Sequence, residues 1–387
     1  MKNNLLTWAE VDLGAIGSNL KALVALAGKR NFYIPTRLSK KKSQATSILS
    51  VIKADAYGHG VEAIARLLQS KGIQFFGVSD VSEGIQLRNI GIKKTILLFE
   101  STLASEVKSI VDYQLTPTVC NLDFAIALQR YAKRVKRRID IHIKVDTGMR
   151  RLGIWHEEAF DFVQALFDLN YLRVMGIYTH FPSADTDKQF TQEQIKCLYD
   201  LVTRLDRSGL IIPYIHAANS MGLVGYHTHV LNLARPGLML YGLYPHASLR
   251  GMIQLKPALS VKSKIVLIKE VKRGQSVSYG RTFFAKRDMT IAIIPIGYSD
   301  GYFRSLSNKA DILIDGRRCP IVGRVTMDQI MVDVSSVKSS RAGMLVTILG
   351  KDGREFISAD ELAKHADTIN YEIVCSLGNR LPRRYIK

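Results

Sequence analysis

The chain has 387 residues, 47% of them apolar, and a formal charge of +20 from 54 basic and 34 acidic side chains. At about 150 residues per domain this is two or three domains of chain, apolar enough to bury a large core and too mixed for a collagen, a coiled coil or a disulfide scaffold. No run of 18 apolar residues occurs, so no spanning helix is expected.

The first segment, Thr7–Asp12, alternates like a strand, and Glu10 and Asp12 interrupt the apolar run before a signal-peptide core could form. A cytoplasmic protein is therefore expected. Further strands are predicted at Ile48–Ala54, Phe75–Ser79, Thr95–Phe99, Thr116–Val119, Ile139–Val145, Val174–Thr179, Ile212–Ala217 and Leu238–Tyr241. Between them lie helical patterns at Ile16–Ala27, Val61–Gln69, Val81–Asn89, Leu122–Ala132, Glu157–Asp168 and Glu193–Arg207. This alternation argues a parallel sheet with helical crossovers, and some eight units over about 230 residues fit a (β/α)8 TIM barrel better than an open sheet.

After about residue 248 helical patterns nearly vanish. Short β-rich runs follow at Leu259–Lys269, Thr290–Ile296, Ala310–Ile314, Cys319–Val325, Ile330–Val334 and Leu345–Leu349, punctuated by Asp315-Gly316 and Asp352-Gly353 turns. One helix, Ser358–His365, interrupts them, with Ser358 as its cap. The fold class is α/β plus β: a barrel followed by a mostly-β domain. Residues 29–47 read as a long basic insertion.

Cys120, Cys197, Cys319 and Cys375 lie far apart and match no Cys-x-x-Cys spacing, so no metal site is expected. The basic excess gathers at Lys29–Lys42, Arg130–Arg138 and Arg380–Lys387. None of these is interleaved with aromatics, which favours a basic solvated surface over nucleic acid or membrane as partner.

The segment carrying chemistry is Val51–Gly60, Val-Ile-Lys-Ala-Asp-Ala-Tyr-Gly-His-Gly. Its Lys53 ends a buried apolar strand, where an ammonium is costly unless paired or neutralised. The carboxyl end of a barrel strand is where such barrels do chemistry, and a Schiff base with an aldehyde would remove the charge. Taken alone, Lys53 is equally readable as a salt-bridged lysine. Gly58 and Gly60 permit an unusual turn or a close backbone approach.

Val51–Gly60 resembles the pyridoxal-phosphate lysine motif of the alanine racemases, and further segments occur in the same order. They are Lys144–Gly153, Thr179–Phe181, His216–Ser220, Ala234–Gly237, Tyr241-Gly242, Ser278–Gly280, Ile296–Gly301, Gly323–Gln329 and Thr368–Tyr371. The resemblance implies a pyridoxal-phosphate barrel over 13–245. It also implies a β domain over 246–387, joined by strand 1–12, that completes the active site of a partner subunit in a homodimer. By the same resemblance Lys53 forms the Schiff base and moves the α-proton of alanine on one face. Tyr279, tuned by nearby cations among which His180, Arg151 and Arg235 are candidates, moves it on the other. Arg235 faces the pyridine nitrogen, supported by His216. Tyr57, Ser220, Tyr371 and the backbone of Gly237 and Leu238 hold the phosphate, with His180 also at the cofactor. Arg151 and the Met327 backbone bind the substrate carboxylate, Tyr298 gates the pocket, and Lys144, carbamylated in many members, positions Arg151.

Two positions depart from the family pattern. Arg150 stands where glycine is usual, and Thr326 where cysteine is usual. The implied function is racemisation of alanine for peptidoglycan. The alternatives are a racemase of other or broader specificity, a decarboxylase of this shape, and a non-catalytic pyridoxal-phosphate binder. Decarboxylases would place an acid opposite the ring nitrogen, and a bare binder would lack the β domain.

Overall fold

The computed structural model describes residues 5–28, 46–226, 231–378 and 380–387. Most of the predicted basic insertion therefore lies outside the described residues. Contacts divide the chain into two units: Met1–Ile16 with Tyr57–Gly60 and Lys256–Lys387, and Gly17–Ala56 with Val61–Leu255.

In the larger unit eight strands run parallel in the order Leu233–Ala234, Ser47–Val51, Phe75–Val78, Thr95–Ser101, Thr116–Val119, Ile139–Asp146, Leu172–Tyr178 and Tyr214–His216. Their central residues, such as Ile96, Leu97 and Leu98, are fully buried, as expected where helices cover the outside of a parallel sheet. The helices bury one stripe each. Val61–Ser70 turns Val61, Ile64, Ala65 and Leu68 inward at the helical spacing. Asp80, Asn121, Asp187 and Asn219 cap four of them through their side-chain oxygens.

The first and last strands nearly close the sheet into a barrel. At the seam Asn232 replaces a regular ladder: its N–H donates to the Ile215 carbonyl (3.0 Å) and its Oδ1 accepts from Ile215 N–H (2.8 Å). Arg235 N–H then donates to Ala218 O at 2.8 Å. One expectation is corrected here. The eighth strand is Leu233–Ala234, and Leu238–Tyr241 is a 3-10 turn. All four residues of that turn are buried, and a short run buried on every side carries no period by which a strand could be told from a helix.

The smaller unit is built from mostly antiparallel sheets. Its largest runs Arg317–Pro320, Asp311–Ile314, Leu345–Asp352, Leu259–Lys264, Thr7–Asp12 and Arg383–Ile386. The N-terminal strand thus pairs antiparallel with Leu259–Lys264 and parallel with the C-terminal strand. The predicted single strand Leu259–Lys269 breaks after Lys264 and resumes as Leu267–Val271 in a second sheet with Met289–Ile294 and Ile330–Asp333. Asp315 and Gly316 both take positive φ (53° and 69°), the two-residue turn that matches strand twist. Ser358 caps helix Ala359–Ala366 by accepting from Glu361 N–H at 3.0 Å. No helix among the described residues is long and apolar enough to cross a membrane.

Candidate active site

The strand Ser47–Val51 delivers Lys53 to the carboxyl end of the barrel, where the backbone reverses its hand. Ala54, Asp55, Ala56 and Tyr57 all hold φ between 52° and 55°. A left-handed winding costs L-residues about 1–2 kcal/mol each, so the surroundings must enforce it. The Glu83 carboxylate accepts from Ala54 N–H (2.7 Å) and from Ser79 N–H (2.8 Å). Asp55 Oδ1 accepts from Val61 N–H at 2.8 Å. Burial raises the Glu83 pKa, and its two N–H partners oppose that shift. Lys53 itself is half-buried rather than buried.

The glycines that follow are dictated by space. A Cβ on Gly58 (φ 77°) would lie 2.1 Å from the Val374 carbonyl oxygen, and one on Gly60 (φ 89°) 1.9 Å from the Tyr385 hydroxyl. Tyr57 packs its ring at 6.3 Å from that of Tyr371, and burial pushes its hydroxyl pKa up.

Inside the barrel the polar centre is Arg235, only 4% exposed. Its guanidinium donates to His216 Nδ1 (2.7 Å), Thr179 O (2.9 Å) and Ala217 O (3.0 Å), with His180 Nδ1 at 3.4 Å. None of these partners is a carboxylate. Burial lowers the Arg235 pKa to about 10, still leaving it protonated at neutral pH. Because arginine only donates, His216 Nδ1 must accept, and its Nε2–H then donates to His142 Nδ1 at 2.8 Å. Burial and the Arg235 charge hold His142 at about 3 and His180 and His216 well below the ordinary imidazole value. All three imidazoles are neutral, so His180 drops out of the expected cations.

Lys144, 6% exposed, places its Nζ 4.5 Å from the centre of the Tyr178 ring. Burial, then Arg235 and Arg151, drive its pKa well below that of a free lysine. The same Tyr178 ring stacks on His216 (4.5 Å, 6° between planes) and has Arg235 Cζ 5.1 Å from its centre. Its hydroxyl bonds Thr118 at 2.7 Å, and burial raises it to about 12.

After Lys144 the chain makes an arch. Asp146 Oδ1 accepts from Gly148 N–H and Arg150 N–H, and Val145 and Asp146 pair with Ile154 and Trp155. Arg151 is exposed on this arch. At the seam Gly237 N–H donates to the buried Ser220 hydroxyl at 3.2 Å, and Leu238 follows directly.

In the β unit Tyr279 (72% exposed), Tyr298 and Met327 all stand open. Ser278, with φ of 66°, throws Tyr279 outward, and its Oγ donates to Arg324 O. Thr326 locks the Met327 turn: its hydroxyl donates to Gln329 O and accepts from Gln329 N–H. The usual cysteine could make these bonds only weakly.

The structure therefore gathers His216, Arg235 and Lys144 around Tyr178, with His180 beside Arg235, and Ser220 with Gly237 at the seam. It groups Tyr57 with Tyr371 in the smaller unit, which also holds Tyr279, Tyr298 and Met327. Sequence reasoning missed His142, Tyr178, Thr118 and Glu83. The first had a signal: in Ile139–Asp146 every second residue is polar, which for a barrel strand means a polar inner face.

This donor set suits an anionic aldehyde with an aromatic nitrogen. A carboxylate-free buried guanidinium can donate to a ring nitrogen, neutral imidazoles add no competing charge, and a hydroxyl beside a glycine N–H can serve a phosphate. Pyridoxal phosphate has these features.

Comparison with known proteins bears on the same point. Residues 35–245 match the family model "Alanine racemase, N-terminal domain" and residues 258–385 "Alanine racemase, C-terminal domain". The alanine racemase of Halothermothrix orenii is 40% identical over 380 residues, 98% of this chain and 96% of that protein. The solved alanine racemase of Clostridium difficile 630 superposes with a TM-score of 0.90 at 34% identity, covering 100% of this chain and 97% of that one. The Bacillus anthracis alanine racemase, solved with bound L-Ala-P, gives 0.89 at 30% identity over 100% and 96%.

Proposed function

The chain belongs to the alanine racemase family and is a pyridoxal-phosphate-dependent isomerase of L- and D-alanine; from that premise we propose that Lys53 and Tyr279 are its two opposed proton carriers. When bound, pyridoxal phosphate supplies an aldehyde that captures amines and a conjugated ring that stabilises negative charge at the substrate Cα. Lys53 would hold the cofactor through Nζ; Ser220, Gly237, Leu238, Tyr57 and Tyr371 would donate to its phosphate, and His180 would line its ring.

Arg235 would present N–H groups to the ring nitrogen and would leave it without a proton. An acid there would protonate the ring and strengthen electron withdrawal, whereas a pure donor keeps charge close to Cα, where returning a proton outcompetes other fates. The observation that carries this reading is the array Arg235–His216–His142, in which every link is fixed by a donor-only cation with neutral partners. It also disfavours the decarboxylase alternative.

A single base returns a proton to the face it came from, so inversion needs a second group. Lys53 Nζ serves one face and the hydroxyl of the partner subunit's Tyr279 serves the other. Arg151 binds the alanine carboxylate together with the backbone of the partner subunit's Met327, and the partner subunit's Tyr298 restricts the side chain admitted. Lys144, whose pKa is lowered by burial and by the Arg235 and Arg151 charges, serves in its deprotonated form as a nucleophile for carbon dioxide. Forming its N–C bond with loss of a proton gives a carbamate whose negative charge orients Arg151. The same reading makes the enzyme a cytoplasmic homodimer acting on free alanine, with no nucleic-acid or membrane partner.

Tyr279→Phe tests it. Cofactor absorbance is expected to persist while interconversion collapses, mostly from the L-enantiomer; unchanged turnover in both directions removes Tyr279 from the mechanism. Lys53→Ala is expected to abolish the imine absorbance band. Racemisation rates across a panel of amino acids separate alanine preference from broad specificity.

A further inference from the structure

Two guanidiniums stand side by side at Arg150 and Arg151, and a carboxylate suits either. They are treated differently by the fold. Arg150 takes φ of 56°, a conformation for which glycine is the ordinary choice, and its N–H donates to Asp146 Oδ1 at 3.2 Å. This backbone sends its side chain across the arch, where Cζ lies 3.6 Å from the centre of the Trp155 ring. That is face-to-face contact at the close end of cation–π distances.

Trp155 is itself held. It pairs with Asp146, His156 N–H donates to Asp146 O at 3.1 Å, and its Nε1 reaches Glu157 Oε2 at 3.3 Å. A Cβ on Gly153 would lie 2.7 Å from Asp146 N, so the arch can close only with glycine there. Arg151, by contrast, has no hydrogen bond or ion pair among the described residues.

We propose that Trp155 is a positioning residue that sequesters Arg150, so that Arg151 alone meets the substrate carboxylate. The proposal rests on the reading of Arg151 as the carboxylate ligand. A freed Arg150 would hold alanine by its carboxylate out of reach of the proton carriers. Unproductive binding of that kind lowers kcat and KM by the same factor and leaves kcat/KM unchanged.

The test compares Trp155→Leu, Arg150→Gly and the double variant as cofactor-loaded enzymes. Trp155→Leu is expected to lower kcat and KM for L-alanine together by about three- to fivefold. It should also tighten binding of propionate, which is alanine's carboxylate without its amine, by the same factor. Arg150→Gly leaves all three quantities near those of the parent, and the double variant restores them. A Trp155→Leu enzyme with unchanged constants, or with raised KM that Arg150→Gly does not rescue, overturns the proposal. Arg151→Lys tests the underlying reading separately: an unchanged KM in that variant would remove Arg151 as ligand, whatever Trp155 does.

Discussion

Replacing His216 by leucine cuts the buried array at its middle. The change fills similar volume, so beyond the stack on Tyr178 the loss falls on two hydrogen bonds: Arg235 to His216 Nδ1 at 2.7 Å and His216 Nε2–H to His142 Nδ1 at 2.8 Å. The first is made by a charged donor, worth about 1.5–3 kcal/mol, and the second leaves a buried imidazole acceptor unpaired at about 1–3 kcal/mol. Together the variant should lose about 3–5 kcal/mol. His142→Leu breaks only the second bond and should cost about 1–2 kcal/mol. Urea unfolding of the cofactor-free protein at pH 7.5, followed by circular dichroism, measures both. A His216→Leu loss below about 1 kcal/mol, or a larger loss in His142→Leu, would refute the donor-to-acceptor chain as drawn here.

Acid should destabilise the fold through the same histidines. Unfolded imidazoles bind protons below about pH 6.5, while folded His142 waits until about 3 and His180 and His216 are also held low. Unfolding therefore takes up protons, and stability falls with pH from about 6.5 downward by up to about 4 kcal/mol per unit; a flat urea midpoint between pH 7 and 5 would contradict this. Gly58→Ala forces a side chain into positive φ 2.1 Å from a carbonyl oxygen. It should cost about 2 kcal/mol or more in thermal unfolding and weaken cofactor affinity. Glu83→Ala removes the acceptor of Ala54 N–H and its link to Ser79 N–H, and turnover should drop about tenfold while far-ultraviolet dichroism stays unchanged.

Much of the fold was legible because the physics is local. Thr116–Val119 and Val81–Asn89 agree residue for residue with their predicted ranges, since turn residues or caps bound both. Leu238–Tyr241 was not legible, because burial on all sides erases periodicity. The left-handed turn at Ala54–Tyr57 was hidden for another reason. Aspartate visits positive φ only as a single residue and alanine and tyrosine rarely do, so no local signal marks a run of four, and Glu83, which accepts from Ala54 N–H, lies 29 residues away. Among the candidate residues, Lys53, Arg235 and Tyr279 were named through ordered motifs. Tyr178 and Thr118 act through a hydrogen bond that spans 60 residues, which no motif records. The odd residue Arg150 was noticed, but its seat on Trp155 needed the arch.

The barrel seam has a consequence for how the protein ages and turns over. One lip carries Ser220 just beyond Tyr214–His216, and the other carries Arg235 and Gly237 just beyond Leu233–Ala234. The lips are stitched by the Asn232 amide, by the Arg235 guanidinium on His216 and Ala217, by Gly237 N–H on the Ser220 hydroxyl and by a few main-chain bonds. A phosphate shared between Ser220 and Gly237 would act as a rivet across that gap. Coenzyme starvation would then do more than silence the enzyme: it would remove one tie from the line along which the cylinder closes.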